Sequence, residues 1–234
     1  MRLEELAKRL PGALSGGQQQ RAALARILAA KPRILMLDEP FSALDSYLRE
    51  EVEGEVGALL AGFSGTALLV THNRDEAYRL CREMIVMDSG EVLRAGTTKE
   101  VFADPRTRAA ARLTGCKNIL PCTRVDEHTV QLTGWNAPLH LAARVPEGCT
   151  AVGIRAHDFA PCAPGAPNAL PVQRLSTSEN PFDWNVIFAA PDGTTRLWWK
   201  VSKANLDAAA PAAPQCLAAA PESIMPLVDS RPAR

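Results

Sequence analysis

The sequence has little net charge, no long hydrophobic run and no paired cysteine motif, and each of these absences excludes a class of protein. Lys+Arg and Asp+Glu number 26 each, so no basic excess marks a nucleic-acid-binding surface and no nucleic-acid partner is expected. No apolar run approaches the roughly 20 residues that span a bilayer. The N-terminal segment mixes acids with bases and lacks the apolar centre of a signal peptide. We therefore expect any connection to a membrane to run through a partner protein.

The cysteines are scattered through the chain, and their spacing is not that of a metal site. No two of them form a C-x-x-C motif, and no zinc pattern is present. The six residues are Cys81, Cys116, Cys122, Cys149, Cys162 and Cys216. Because disulfides are rare in reducing compartments, the pattern predicts free thiols in a cytoplasmic protein.

Residues 1–115 alternate short apolar runs with helical segments. The runs at 34–37, 66–70 and 84–87 are continuous, which is typical of strands buried on both faces. Helical segments are predicted at 2–10, from Ser15 to Pro32, at about 45–60 and through Leu80. The alternation predicts an α/β domain whose parallel sheet is covered by helices on both sides. Ser89-Gly90-Glu91 predicts a hairpin turn that leads into a further strand at 92–93.

Residues 116–234 have a different character. Short segments such as 129–132 and 184–188 lie between turn residues, and four prolines fall between Pro161 and Pro171. These features predict a second, small all-β domain. The Ala/Pro-rich stretch at 208–221 is predicted to be a loose surface segment.

A helix start with two bare glycines follows Leu14. Ser15 is a good N-cap, and Gln18 three positions later completes a capping box. Gly16 and Gly17 leave the backbone amides open to an anion, and the helix N-terminus adds partial positive charge. The segment therefore predicts a phosphate-binding surface, and the alternative is an ordinary capped helix after a glycine-rich turn.

Acidic and imidazole side chains follow two neighbouring strands. Asp38 and Glu39 end the first predicted strand, and His72 follows the second. Ligands of α/β folds bind at this edge, where an Asp can hold Mg²⁺, a Glu can activate water and a neutral His can sense a phosphate. The alternatives are a helix-starting acidic pair and a helix-flanking histidine. Asp45 has the same ambiguity, because its structural alternative is the N-cap of the next helix.

In this order, the segments resemble the ABC ATPase family. Residues 14–21 (LSGGQQQR) are similar to the family signature, 34–40 (ILMLDEP) to the Walker B strand, 42–45 (SALD) to the D-loop, 71–72 (TH) to the H-loop, and 87–92 (MDSGEV) to the hairpin that commonly follows. The resemblance covers about residues 1–115, and the joint match is highly specific. It implies that these residues are the C-terminal portion of an ABC ATP-binding domain.

The resemblance implies a mechanism and partners. Two ATP-binding subunits close face to face over two ATP molecules, and the motion is passed to transmembrane permease subunits at the inner face of the cell membrane. By resemblance, Asp38 serves Mg²⁺, Glu39 activates water and His72 anchors the γ-phosphate. The signature contacts a nucleotide held by the partner subunit, through Ser15, Gly16, Gly17 and Gln18. Asp45 couples the two sites.

The sequence departs from the family pattern in two respects. It has no G-x-x-x-x-G-K-S/T phosphate loop, since none of its six lysines is followed by Ser or Thr, and the Q-loop glutamine before the signature is missing as well. We expect a chain that begins inside the usual domain, with exposed sheet edges. We also expect that it neither binds ATP tightly nor hydrolyses it alone.

The second region has its own, less specific resemblance. Residues 152–159 (VGIRAHDF) are similar to a strand motif of the C-terminal β-barrel domains, called TOBE domains, of importer-type subunits. Residues 115–119 and 178–184 resemble segments of molybdate and sulfate importers, which implies an oxyanion cargo. Lys117, Asn118 and Arg155 are candidate oxyanion ligands, with ordinary structural residues as the alternative. Trp198 and Trp199 are predicted to lie in a core or an interface.

Two other functions remain open from the sequence. The chain can be an inert regulatory or oxyanion-binding module in which the β domain alone is useful. It can also be a non-transport ABC ATPase of DNA repair or translation, although the neutral charge and the importer-like second region speak against that reading.

Overall fold

The computed structural model describes residues 3–30, 32–42, 44–135, 137–205 and 214–229. Ala43 of the predicted D-loop and residues 208–213 of the Ala/Pro-rich stretch lie outside the described residues. The chain divides into two compact units, Met1–Met84 and Ile85–Arg234. The functional division at residues 115 and 116 stays a prediction.

The first unit is an α/β arrangement built on two strands. Its elements are 3-10 turns at Glu4–Leu6 and Pro11–Ala13, α1 (Gly16–Ala29), β1 (Ile34–Asp38), α2 (Ser46–Ala61), β2 (Thr66–Val70) and α3 (Arg74–Leu80). Strands β1 and β2 pair in parallel, from Ile34 opposite Thr66 to Asp38 opposite Val70. The predicted parallel pairing of these two strands is confirmed, and so are the predicted helices that precede and follow them as α1, α2 and α3.

Burial of this sheet is one-sided, so the prediction of strands covered on both faces is wrong. Leu35 and Leu37 of β1 pack into a core with residues of α1 and α2. Ile34 and Met36, on the other face, are 64% and 69% exposed. The continuous apolar run was a misleading signal, because helices of this unit cover only the face that carries Leu35 and Leu37.

Residues 2–10 do not form the predicted α-helix within the part of the chain that is described. Leu6 and Arg9 donate backbone hydrogen bonds three residues back, to Leu3 and Leu6, which is the 3-10 pattern. Leu10 is exposed. A short segment whose leucines find little to pack against lacks the tertiary contacts that sustain most helices.

A hairpin lies at the start of the second unit. Strand β3 (Glu83–Asp88) pairs with β4 (Glu91–Thr97), as the predicted hairpin implies, and among the described strands the predicted parallel sheet contains only β1 and β2. Ser89 and Gly90 join them with φ values of 51° and 81°. Positive φ at both central residues is the I′ geometry that matches strand twist, so the predicted turn is confirmed.

Two short helices, α4 (Thr98–Ala103) and α5 (Arg108–Leu113), precede a region made of strands. The strands are β5 (Asn118–Arg124), β6 (Thr129–Leu132), β7 (Pro138–His140), β8 (Cys149–Ile154), β9 (Phe159–Pro161), β10 (Ala169–Pro171), β11 (Gln173–Glu179), β12 (Asp183–Ala189), β13 (Arg196–Ser202), β14 (Cys216–Ala219) and β15 (Ile224–Val228). They form a five-stranded sheet, β15-β8-β5-β6-β7, and two three-stranded sheets, β11-β12-β13 and β10-β14-β9. An all-β region was therefore correctly predicted.

The loose segment predicted at 208–221 is wrong for β14. This strand pairs with β10 on one side and β9 on the other. Cys216 and Leu217 are buried, and Leu217 lies in the main core of the second unit. The local Ala/Pro composition predicted a loose surface segment, but strands β10 and β9 provide the backbone hydrogen bonds that make residues 216–219 a strand. Trp199 is buried in the same core, as predicted.

Candidate functional site

The carboxyl ends of β1 and β2 bring together residues that are far apart in the sequence. Asp38 is the last residue of β1 and pairs with Val70, the last residue of β2. The Glu39 amide donates to the Val70 carbonyl at 2.9 Å, so the ladder continues one residue past the strand. Glu39 and His72 therefore lie at the carboxyl edge of the parallel strands, as the sequence predicts.

Glu39 and His72 are in direct contact. The His72 backbone N–H donates to Glu39 Oε1 at 2.9 Å, and His72 Nδ1 lies 2.6 Å from the same oxygen. The His72 side chain is 81% exposed and that of Glu39 is 34% exposed. One carboxylate oxygen thus fixes the histidine, and the open ring is accessible to a ligand at the sheet edge.

The backbone of Glu39 has an unusual conformation. Its φ is 45°, in the left-handed region that residues with a Cβ avoid at a cost of about 1–2 kcal/mol. The Ser42 amide and hydroxyl both donate to the Glu39 carbonyl, at 3.2 and 3.0 Å, and hold the turn. Such conformations cluster at functional sites, where the surrounding structure maintains them.

A buried carboxylate braces the loop that carries His72. Glu76 is buried, and its two oxygens accept from Thr71 Oγ1 at 2.5 Å and from Asn73 Nδ2 at 3.0 Å. Asn73 also caps α3, since its Oδ1 accepts from the Asp75 amide at 3.0 Å. Glu76 was missed at the sequence level, although an Asn followed three residues later by a Glu is a recognisable helix start.

The predicted capping box at the start of α1 is present. The Ser15 amide donates to Gln18 Oε1 at 3.0 Å, and the Gln18 amide donates to Ser15 Oγ at 3.4 Å. Gln19, which was not singled out, donates from Nε2 to the carbonyls of Pro11 and Leu14, at 3.0 and 3.2 Å. These bonds fix the turn that leads into the helix.

The two glycines of this segment differ in their surroundings. A Cβ built on Gly16 meets nothing within 4 Å, whereas one on Gly17 meets Leu48 at 3.7 Å and Leu44 at 3.8 Å. Gly17 therefore lies against the residues at the start of α2. Gly16 leaves its backbone open to a ligand, which is what the phosphate-binding hypothesis requires of it.

Asp45 is the N-cap of α2, as the alternative from the sequence had it. Its Oδ1 accepts from the Leu48 amide at 3.0 Å. Arg49 donates from Nη2 to the Leu44 carbonyl, also at 3.0 Å, which links the residue before the N-cap to the first turn of the helix. The coupling role that resemblance implies for Asp45 stays a prediction.

Asp38 fits Mg²⁺ as a single protein ligand. Among the described residues, no group of three or more His, Cys, Asp or Glu side chains is arranged to hold a metal ion. The exposed carboxylate of Asp38 at the strand end still suits Mg²⁺, which keeps several waters and binds through one or two carboxylates plus substrate phosphates.

Two of the three candidate oxyanion ligands have structural hydrogen bonds instead. Asn118 is fully buried, donates to the carbonyls of Ile154 and Trp198 at 3.1 and 2.9 Å, and accepts from the Trp198 amide at 2.7 Å. Asn118 therefore joins three strands. Lys117 is exposed.

Arg155 is likewise engaged within the second unit. It donates to the carbonyls of Thr114 at 2.9 Å and Phe102 at 2.5 Å. Its guanidinium lies 5.6 Å from the centroid of the Phe102 ring. The sequence could not distinguish these bonds from ligand contacts, because all of their acceptors are backbone carbonyls far away in the chain.

Sequence comparison shows which family part of this arrangement is similar to. Residues 1–42 match the ABC transporter family, and these residues include the capped helix start, β1 and Glu39. Over the described residues, no helix is both long and apolar enough to cross a membrane.

The relatives belong to importers. The chain is 41% identical over 135 residues to the Fe(3+) ions import ATP-binding protein FbpC of Haemophilus influenzae, covering 58% of this chain and 38% of that protein. It is 39% identical over 166 residues to the sulfate/thiosulfate import ATP-binding protein CysA of Bradyrhizobium diazoefficiens, covering 70% and 47%. It is 41% identical over 134 residues to the spermidine/putrescine import ATP-binding protein PotA of Haemophilus ducreyi, covering 56% and 36%.

These matches show homology to ATP-binding subunits of importer-type ABC transporters, and the chain spans less than half the length of each of these relatives. Among solved structures, CbiO1 of Clostridium perfringens, part of the ABC transporter complex CbiONQ, is 33% identical with a TM-score of 0.40, covering 44% of this chain and 41% of that one.

Proposed function

We propose that the chain is the energy-coupling, ATP-binding subunit of an ABC importer, peripheral on the cytoplasmic face of the membrane and bound to permease subunits. The observation that carries the proposal is the contact of Glu39 with His72 at the carboxyl edge of parallel strands. Homology to importer subunits supports the class. It does not favour the alternative of an inert regulatory module.

The side chains at the strand edge have distinct tasks in this proposal. Asp38 binds Mg²⁺, which supplies charge neutralisation for the phosphates. Glu39 Oε1 holds His72, and its other oxygen orients the attacking water. His72 contacts Glu39 through Nδ1, and its Nε2 is the ring nitrogen that remains for the γ-phosphate of ATP.

The helix start acts on a different nucleotide. Ser15, Gly16, Gly17 and Gln18 present backbone and side-chain donors to the γ-phosphate of an ATP held by the phosphate loop of a second ATP-binding subunit. The open space at Gly16 suits this close approach. Asp45, at the neighbouring helix cap, transmits the state of one site to the other.

This chain alone binds Mg-ATP weakly in the proposal, because its sequence holds no phosphate loop. We expect a dissociation constant in the millimolar range or weaker, which corresponds to roughly 4 kcal/mol or less of binding free energy. Isothermal titration with Mg-ATP measures it, and micromolar affinity contradicts this part of the proposal.

We propose an oxyanion, sulfate in the first place and molybdate as the related choice, as the cargo. Matches to sulfate/thiosulfate subunits run over 166 and 172 residues, against 134 and 135 residues for the polyamine and Fe(3+) relatives described above. All four matches are longer than residues 1–115, and the sulfate/thiosulfate matches exceed that length by the most, which supports a TOBE-like role for residues 116–234. Transport of labelled sulfate in cells that depend on this subunit tests the cargo.

Complementation tests the role of the helix start. A full-length relative with an intact phosphate loop and a broken signature forms a dead homodimer, and this chain can supply the missing signature. We expect the mixture to regain ATPase activity, and we expect Gly16→Asp to reduce it roughly tenfold or more, because the new carboxylate repels the γ-phosphate.

Gly12→Asp is the matched control for Gly16→Asp. Both glycines have nothing within 4 Å of an added Cβ, so both substitutions add the same charge without a clash. Aspartate near a helix N-terminus also favours the helix, which keeps Gly16→Asp folded. Equal activity of the two variants, or no activity with the unmodified chain, contradicts the proposed role.

A further inference from the structure

A β-bulge in the second unit changes the direction of one cysteine. Along the β15–β8 pair, Leu227 is opposite Ala151 and Val228 is opposite Cys149, so Thr150 has no partner. In a regular strand, Cys149 and Ala151 point to the same face. An extra residue in one strand bends it and changes the direction of neighbouring side chains.

The bulge separates these two residues into different cores. Ala151 belongs to a small cluster with Cys116, Met225 and Leu227. Cys149 instead belongs to the main core, together with Cys122 of the adjacent strand β5. The bulge therefore places Cys149 on the face of the sheet to which Cys122 points.

The two sulfur atoms are in contact as a result. Cys122 Sγ lies 3.9 Å from Cys149 Sγ, and both residues are free thiols. A disulfide has an S–S distance of about 2.05 Å, so the two sulfurs must approach each other by about a further 1.9 Å, which requires side-chain rotation. Arg108 Nη2 donates to the Thr150 carbonyl at 2.7 Å and holds the bulge.

We propose that Cys122 and Cys149 are a modification site, at which hydrogen peroxide converts the thiol pair into an intrachain disulfide between β5 and β8. The oxidant is small and neutral, which suits two buried sulfurs. The pair is reduced in the resting protein, as free thiols are in the cytoplasm.

The chemistry proceeds in two balanced steps. The Cys149 thiolate attacks one oxygen of the peroxide, the O–O bond breaks, and hydroxide leaves, which gives a sulfenic acid on Cys149. The Cys122 sulfur then attacks the Cys149 sulfur, the S–O bond breaks, and the thiol proton leaves with the hydroxyl as water. The two thiols lose two electrons and one peroxide gains them.

The environment supports this order of attack. The hydrogen bond from the Cys122 thiol lowers the pKa of Cys149, and the same contact raises the pKa of Cys122. Cys116 offers an internal control, because burial raises its pKa to about 11. Thiolate character governs reactivity toward peroxide, so Cys149 reacts first and Cys116 stays unmodified.

Peptide mapping of the whole chain tests the proposal. Trypsin releases Cys122 in residues 118–124 and Cys149 in residues 145–155, each as the single cysteine of its peptide. After peroxide treatment of the reduced protein and blocking of remaining thiols, we expect these two peptides to be joined by a reducible bond. Pairing of either cysteine with another one, or no linked peptide while Cys81 oxidises, overturns the proposal.

Two variants test whether the bond joins these two residues. Cys122→Ala and Cys149→Ala each remove one sulfur of the pair, so neither variant should give the linked peptide after peroxide treatment. A reducible link from the remaining cysteine to a different one in either variant contradicts the pairing. Circular dichroism checks that each variant is folded, and Cys→Ser replaces any that is not, while mapping of the unmodified chain decides the proposal without a variant.

Discussion

The two units use polar residues near strand ends in opposite ways. In the first unit, Glu39 has a left-handed backbone, and His72 is exposed beside it at the sheet edge. In the second unit, Asn118 and Arg155 also lie next to strand ends, yet backbone carbonyls accept their hydrogen bonds. The comparison indicates that a polar residue at a strand end is a candidate site residue only when its side chain keeps donors or acceptors that no backbone group occupies.

The units also differ in packing. The core of the second unit combines residues from the five-stranded sheet and from both three-stranded sheets. The β1–β2 sheet of the first unit buries one face. Four apolar residues of its strands remain exposed, namely Ile34, Met36, Leu68 and Val70. Stability should therefore depend more steeply on apolar side chains of the second unit, and the following substitutions test that difference.

The largest effect is expected for Leu217→Ala in β14. Leu217 is completely buried in the main core, and a Leu→Ala change at such a position costs about 2–5 kcal/mol. Denaturant unfolding followed by far-ultraviolet circular dichroism, which reports on both units, measures it. Met36→Ala in β1 is the matched control and should change stability by less than about 0.5 kcal/mol. A similar loss in both variants contradicts the contrast between the units.

The next effect is expected for Asn118→Ala. The change removes three hydrogen bonds that the buried Asn118 side chain makes to backbone groups of Ile154 and Trp198. Each unsatisfied buried group costs about 1–3 kcal/mol, so we expect a loss of at least 2 kcal/mol in thermal unfolding. Lys117→Ala, one residue away on the surface, should be neutral. A stable Asn118→Ala protein with altered oxyanion binding shows that Asn118 is a ligand after all.

A smaller effect on stability is expected at the site itself. The Glu39–His72 pair is largely exposed, and such pairs contribute about 0–1 kcal/mol. Glu39→Gly also relieves the left-handed backbone, so its unfolding midpoint should stay close to that of the unmodified chain. Glu39→Ala keeps the strain and loses the pair, and it should be the less stable of the two. A loss above 2 kcal/mol for Glu39→Gly indicates a structural role.

The smallest effect is a pH dependence at the start of α4. Thr97 and Glu100 form a capping box, and the hydrogen bond from Thr97 lowers the pKa of Glu100. A lowered folded-state pKa means stability that is present above the unfolded value of about 4.3 and is lost as the pH falls through the folded value. Melting temperature against pH should show this slope below pH 4.3 or so. The slope should flatten in Glu100→Gln, which keeps the cap without the charge.

The predictable parts of this molecule are those that short stretches of sequence determine. The capping box of Ser15 and Gln18 and the Ser89-Gly90 turn each depend on a few adjacent residues, and both are present. The parallel pairing of β1 and β2 followed from their alternation with helices.

The remaining features depend on contacts between distant segments. One-sided burial of β1, the strand at Cys216–Ala219, and the bulge at Thr150 are set by which elements pack alongside, and no local pattern reports that. The common sheet edge of Glu39 and His72 was predicted, while the brace at Glu76 was missed because its partners, Thr71 and Asn73, had no assigned role.

ATP-dependent association is the measurement that tests the central claim most directly. Sedimentation of this chain with a full-length relative that keeps its phosphate loop but cannot hydrolyse ATP should show a mixed dimer only when Mg-ATP is present. Gly16→Asp should abolish that dimer and Gly12→Asp should leave it intact. Association that is equally strong without nucleotide, or that is insensitive to Gly16→Asp, contradicts a helix start that binds a phosphate held by a partner.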